Sequence, residues 1–225
     1  ANLWCALSVR PLSLRRRVPS DLQPAAAAVL TLLLALPACV ALFRKGQRKE
    51  QRLQDLLWGA AATGLAFFLA SFQVHEKGIL LPAAPLSLLY LEEPSFTIWF
   101  GVAAAWSLWP LMVVDRLAMA YFSTMGIFAV VAGGFLEELL PHAAPAAPRT
   151  GWRKWGHWTG AGSYALMGAL HLAQPLLPPP ARLPDLYPVL WSVAGCACFG
   201  CAWAATTAAC MGFNENERAR GKKRQ

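Results

Sequence analysis

Long apolar runs separated by short polar blocks set the plan of this chain. Seven stretches, at about 21–43, 55–73, 78–91, 95–114, 117–136, 158–177 and 188–211, are dominated by Leu, Ala, Val, Phe and Trp. Runs of roughly 20 residues match a hydrocarbon core of about 30 Å at about 1.5 Å rise per residue. Lipid offers the backbone no hydrogen-bond partners, so such runs must be helices or closed barrels. No strand alternation is visible, and the Leu, Ala and Trp content suits helices. The expected fold class is all-α: a polytopic transmembrane helical bundle of about seven membrane segments. An arm over residues 1–20, a helical region over 21–211 and a basic tail over 212–225 complete the expected organisation.

The stretch at 78–91 is short and carries Pro82 and Pro85. Parity of crossings nevertheless predicts that it spans. The basic loops at 44–54 and 137–157 share one side of the membrane only if an even number of crossings lies between them. Counting 78–91 gives that even number. Placing both loops and the tail Arg218-Ala219-Arg220-Gly221-Lys222-Lys223-Arg224 in the cytosol puts 13 of the 20 Lys and Arg there, in line with the positive-inside rule. The first arm, with Arg10, Arg15, Arg16 and Arg17, then becomes luminal against the rule. Those arginines are either a solvated charge run or a seat for lipid phosphate.

Composition narrows the function classes. The chain has 225 residues, 56% of them hydrophobic and 14% charged, with a formal net charge of +8. The cations flank apolar segments, which argues for a membrane surface and against nucleic acid as partner. Ala1 stands where a start methionine would be, so a fragment is expected. Four of the six cysteines, Cys196, Cys198, Cys201 and Cys210, share one apolar run and read as small hydrophobes. Cys198 and Cys201 form a C-x-x-C, but zinc needs further ligands and a polar shell. No metal site is expected. Trp152-Arg153-Lys154-Trp155-Gly156-His157-Trp158 reads as an interfacial anchor. Asp115-Arg116 is expected as a local ion pair in a tight turn, and Asp185 as a structural cap.

The candidate chemistry lies at Gln73-Val74-His75-Glu76-Lys77, between apolar helices. Ionisable groups at bilayer depth cost from about 2.5 kcal/mol upward unless paired or hydrated. The motif should therefore lie at or just beneath the luminal interface, facing a water-filled cavity. Lys77 suits a phosphate anion, and His75 suits a hydrogen bond to phosphate or sugar. Glu76 suits a sugar hydroxyl or the orientation of its neighbours. The bland readings are a Glu76–Lys77 pair at a helix terminus and a merely solvated His75.

Ser71-Phe72-Gln73-Val74-His75-Glu76-Lys77-Gly78-Ile79-Leu80-Leu81-Pro82 resembles the luminal signature of the dolichyl-phosphate-glucose-dependent α-1,3-glucosyltransferases of N-glycan precursor assembly. Ala1-Asn2-Leu3-Trp4-Cys5 and Arg182-Leu183-Pro184-Asp185-Leu186 agree with the same family and in its order. Gln73 and the Trp4-Cys5 pair look more like the members that add the first glucose than those that add the second.

The resemblance implies the carboxy-terminal part of a GT-C type fold in the endoplasmic-reticulum membrane, with a luminal active site. It implies inverting transfer of glucose from dolichyl-phosphate glucose to a dolichyl-pyrophosphate-linked high-mannose oligosaccharide, with no cofactor. Gln73, His75, Glu76 and Lys77 become candidate substrate-binding residues, and His75 the one candidate for catalysis. The family's proposed base, an aspartate in the first luminal loop, lies outside this chain, so the catalytic residue is unknown and the chain alone is expected to be inactive. The ending Lys222-Lys223-Arg224-Gln225 fits a K-K-x-x retrieval signal. A non-catalytic protein that binds or transports lipid-linked sugars is the alternative class. It should show paired broken helices in two repeats, and no internal repeat is visible.

Overall fold

A computed structural model describes residues 2–8, 17–49, 52–132 and 152–212, the stretch 152–159 by its backbone only. The helices are α1 (Leu3–Ala6), α2 (Gln23–Gln47), α3 (Leu53–Ala70), α4 (Leu80–Ser87), α5 (Pro94–Ser107), α6 (Trp109–Val114), α7 (Ala118–Val130), α8 (Trp152–Leu176) and α9 (Leu186–Cys210). A single 3-10 turn, Glu76–Ile79, precedes α4. No strand occurs among the described residues. The retrieval signal, the basic tail, the 137–151 loop and three of the four arginines of the first arm lie outside the described residues.

Helix α3 is the centre. It packs against α2, α4 and α9, and against α1 and the 3-10 turn at its end. Helices surrounded by lipid gain little from hydrophobic burial and depend on close packing, which small residues permit. The buried face of α3 carries Gly59, Ala61, Ala62, Gly64, Ala66 and Ala70. A Cβ at Gly64 would stand 3.3 Å from the Pro82 backbone, so α4 lies directly on that glycine. At Gly59 it would run into the Leu42 side chain of α2.

Three helices, α2, α3 and α9, are long and apolar enough to cross a membrane. The other expected segments are helical but shorter or less apolar. The stretch expected to span at 78–91 is helical only over Leu80–Ser87, about 12 Å at 1.5 Å per residue. Pro85, inside that helix, removes one of its few amide donors. The helix ends in a turn, and Thr97 on α5 donates its hydroxyl to the Leu86 carbonyl (3.3 Å). Its helical length alone therefore lends no support to the parity count. Likewise the run at 95–114 is two helices, because Pro110, in the first turn of α6, has no amide hydrogen with which to continue α5.

Helices α3 and α9 run antiparallel. Cys210 near the end of α9 lies against the Asp55 carbonyl at the start of α3 (3.9 Å), and Phe68 meets Phe199 edge-on at 5.3 Å. Helix α9 begins 13 residues before Phe199, whereas α3 stops two residues after Phe68. At 1.5 Å per residue α9 overshoots α3 by about 16 Å. The step is lined higher up by aromatic groups. Trp106 on α5 stacks on Trp191 (4.9 Å) and accepts its indole N–H at the Trp106 carbonyl (3.0 Å). Beside them Trp109, Tyr121, Phe122 and His171 form a ring cluster that joins α6, α7, α8 and α9.

At the opposite end, Asp55 joins α2 to α3. Its carboxylate accepts the Arg52 backbone N–H (3.1 Å), capping α3, and pairs with the Lys45 ammonium on α2. Both side chains are largely buried. The cysteines behave as packing groups: Cys196, Cys198 and Cys210 are buried, Cys201 is exposed, and none is in a disulfide. Arg116 turns the chain with a positive φ of 58°, yet it makes no ion pair with Asp115 among the described residues. Asp185 holds the N-cap position of α9 with its carbonyl, which accepts from Val189 N–H (3.1 Å), and not with its side chain. Both turns are thus made by backbone.

Removing one partner of the buried pair should cost more than removing both. Asp55→Asn is expected to lower stability by about 3 kcal/mol, because it strands the Lys45 charge. The double substitution Lys45→Met with Asp55→Leu should lose clearly less. Thermal unfolding in detergent micelles separates the two.

Candidate functional site

The chain leaves α3 abruptly. Ser71 is extended (φ −62°, ψ 149°), so the helix cannot continue past Ala70. Gln73 then takes a left-handed backbone (φ 55°), a conformation that costs a non-glycine residue of order 1 kcal/mol. His75 returns to extended geometry and caps the 3-10 turn, with Gly78 N–H donating to its carbonyl (2.9 Å). Glu76 opens that turn, where a carboxylate suits the positive end of the helix dipole. Ile79 is fully buried and anchors the far end of the motif.

The five residues form a short bridge with both ends fixed. Gln73, His75, Glu76 and Lys77 all project outward, and Val74 alone is half-buried, pointing back toward Gly78. The four polar side chains make no hydrogen bond or ion pair among the described residues. Glu76 and Lys77 therefore do not neutralise each other, although they are neighbours in sequence. The expected burial of these groups is not seen in the chain itself, where all four are exposed.

Depth comes instead from the level at which the bridge sits. A Cβ at Gly78 would touch the Phe68 ring at 3.5 Å, and Phe68 touches Phe199. Trp191 lies eight residues nearer the start of α9, about 12 Å further along the axis. The motif thus occupies the floor of the step, below the Trp106–Trp191 stack.

Two groups of residues at this end escaped the sequence reading as contacts. Trp4 donates its indole N–H to the Ala70 carbonyl (2.7 Å), and Asn2 donates from Nδ2 to the Ser71 carbonyl (3.4 Å). The second group is polar: Tyr121 and His171 share a hydrogen bond (3.0 Å), and Trp109 donates to Gln174 Oε1 (2.8 Å). No motif or period marks either set, since each joins positions about 50 to 70 residues apart. Arg182-Leu183-Pro184-Asp185-Leu186 lies in the turn before α9 at the top of the step. Among the described residues no three His, Cys, Asp or Glu side chains gather closely enough to hold a metal ion.

Fold and site together define an all-α, multi-helix membrane protein with an exposed His-Glu-Lys triplet on the floor of a step between helices. Residues 1–205 match the model of the ALG6, ALG8 glycosyltransferase family, and the chain belongs to that family. It is 31% identical over 219 residues to the mouse (Mus musculus) dolichyl pyrophosphate Man9GlcNAc2 alpha-1,3-glucosyltransferase, covering 88% of this chain and 41% of that protein. The protein of the same name from Saccharomyces cerevisiae is 30% identical over 224 residues, covering 90% of this chain and 40% of that protein. The chain spans about two fifths of the length of these relatives.

The left-handed backbone at Gln73 allows its two possible contributions to be separated. Gln73→Gly should keep the turn and leave stability equal or up to about 1 kcal/mol higher. Gln73→Val should lower it by more than 1 kcal/mol, because a β-branched residue resists positive φ. Thermal unfolding of both variants beside the parent measures this.

Proposed function

We propose that this chain is the donor-facing part of an endoplasmic-reticulum hexosyltransferase. The reaction is inverting transfer of glucose from dolichyl-phosphate glucose, in α-1,3 linkage, to a dolichyl-pyrophosphate-linked high-mannose oligosaccharide. The observation that carries the reading is the triplet itself: an imidazole, a carboxylate and an ammonium, exposed and unpaired with one another, on the bridge between two helices of an apolar bundle. Membership of the family and the names of the mouse and yeast relatives support it.

In the proposed reaction the bond from the glucose anomeric carbon to the donor phosphate breaks as a new one forms to the acceptor hydroxyl. The hydroxyl proton goes to a base that this chain does not supply. Dolichyl phosphate departs with growing negative charge. The Lys77 ammonium meets that charge, and the attraction grows as the bound substrates exclude water from it. His75 hydrogen-bonds the phosphate or the sugar, Glu76 takes a sugar hydroxyl or orients His75, and Gln73 offers an amide to the glucose ring. Positive charge in the transition state, rather than proton removal, is thus the contribution of this stretch.

The proposed orientation puts the loop around Gln47 in the cytosol and the triplet in the lumen, following the positive-inside rule. The K-K-x-x ending would then be read from the cytosol as a retrieval signal. The proposed organisation is a luminal arm over residues 1–20, the helical region over 21–211 and a cytosolic tail over 212–225.

Activity is best measured on this chain joined to the remaining length of the mouse relative, in microsomes given labelled dolichyl-phosphate glucose. His75→Ala and Lys77→Gln should each reduce transfer at least a hundredfold, the scale for losing one electrostatic contact to a transition state. Undiminished transfer by His75→Ala would remove that residue from the site. Offering acceptors with no glucose and with one glucose distinguishes addition of the first sugar from addition of the second. For orientation, an Asn-x-Thr glycosylation acceptor inserted beside Gln47 should stay unmodified in microsomes, and its glycosylation would reverse the proposed topology.

A further inference from the structure

The polar side chains of the Gln73–Lys77 bridge bond to nothing among the described residues, so something else fixes the backbone that presents them. Ala70 is fully buried, and the turn at Ser71 removes the amide that would have bonded its carbonyl in a continued helix. The indole N–H of Trp4 takes that place at 2.7 Å. The Asn2 amide nitrogen reaches the next carbonyl, Ser71, while its own oxygen accepts the Cys5 N–H (2.9 Å) and caps α1. The edge of the Trp4 ring meets Phe72 (6.3 Å, 86° between planes). Three consecutive residues, Ala70, Ser71 and Phe72, are thus each held by α1, immediately before the left-handed residue Gln73. Both holding side chains are deeply buried, Trp4 at 4% and Asn2 at 6% exposure.

We infer that Asn2 and Trp4 are positioning residues for the Gln73–Lys77 motif. They act through the Ala70 and Ser71 carbonyls and set the direction in which the bridge leaves α3. They touch neither substrate nor the reacting atoms. The assignment rests on the proposed glucosyl transfer for its functional consequence, and on the geometry alone for the clamp. A buried carbonyl left without a donor is costly, enough to loosen the turn while the α3–α9 packing stays.

The test uses Trp4→Phe, which keeps an aromatic ring in the same space and deletes only the donor and part of the indole. Amide hydrogen exchange of the detergent-solubilised chain should speed up about tenfold over residues 71–78, the equivalent of about 1.4 kcal/mol. Residues 199–210 of α9 should be unchanged. Asn2→Asp keeps the oxygen that caps α1 and loses the donor to Ser71, so it should accelerate the same stretch about threefold. In the chimaera with the mouse relative, Trp4→Phe should lower kcat about tenfold with the acceptor KM retained. Exchange that is unchanged over 71–78, or that rises equally over 199–210, would overturn the clamp and leave Trp4 as core filler. Selective exchange with kcat intact would overturn the positioning role. If the parent chimaera transfers no glucose while selective exchange is seen, the clamp stands and the glucosyl-transfer reading falls.

Discussion

The close packing of α3 is the constraint on which the rest depends. A helix in lipid has little to gain from hiding apolar surface, so its neighbours must come near enough for many weak atomic contacts. Gly59, Gly64 and the alanines between and after them provide that nearness. Because α4 lies on Gly64 through its Pro82 backbone, the level of α4 is fixed, and with it the far end of the motif at Ile79. Because α9 lies along the other side, the step in which the motif sits is fixed as well. The site is therefore a by-product of two helices of unequal reach meeting a third, shorter one.

Much of this was legible in the sequence. The all-helical class followed from long apolar runs, and each of the seven runs contains a helix at its expected place. The motif at Gln73 to Lys77 stood out because four polar residues interrupt apolar surroundings. Part of what was not legible shares one cause. The shortness of α4, the break at Pro110 and the backbone-made turns at Arg116 and Asp185 are settled by local hydrogen bonds, which hydrophobic pattern does not report. The Glu76–Lys77 and Asp115–Arg116 pairs illustrate the same point. Adjacent opposite charges invite pairing, yet the 3-10 turn and the left-handed turn keep their side chains apart.

The contacts of Trp4, and those among Trp109, Tyr121 and His171, were hidden for a different reason. They join segments far apart in the chain, and no periodicity connects them. Ala1-Asn2-Leu3-Trp4-Cys5 carries part of the resemblance to the family, but nothing in its letters says that Asn2 and Trp4 reach the end of α3. Only the packing of α1 against α3 and α9 brings Asn2 and Trp4 to the start of the motif.

The bridge from Gln73 to Lys77 is anchored from outside, and this makes its geometry and its chemistry separable. The exposed side chains of His75, Glu76 and Lys77 make no contact that holds the fold among the described residues, so exchanging them carries little folding penalty, whereas position 73 is restricted by its left-handed backbone. The residues that aim the bridge lie at 2, 4 and 70 to 72 and present no reactive group. A protein built this way can retune its selectivity by substitution at a handful of positions while its scaffold stays as it is.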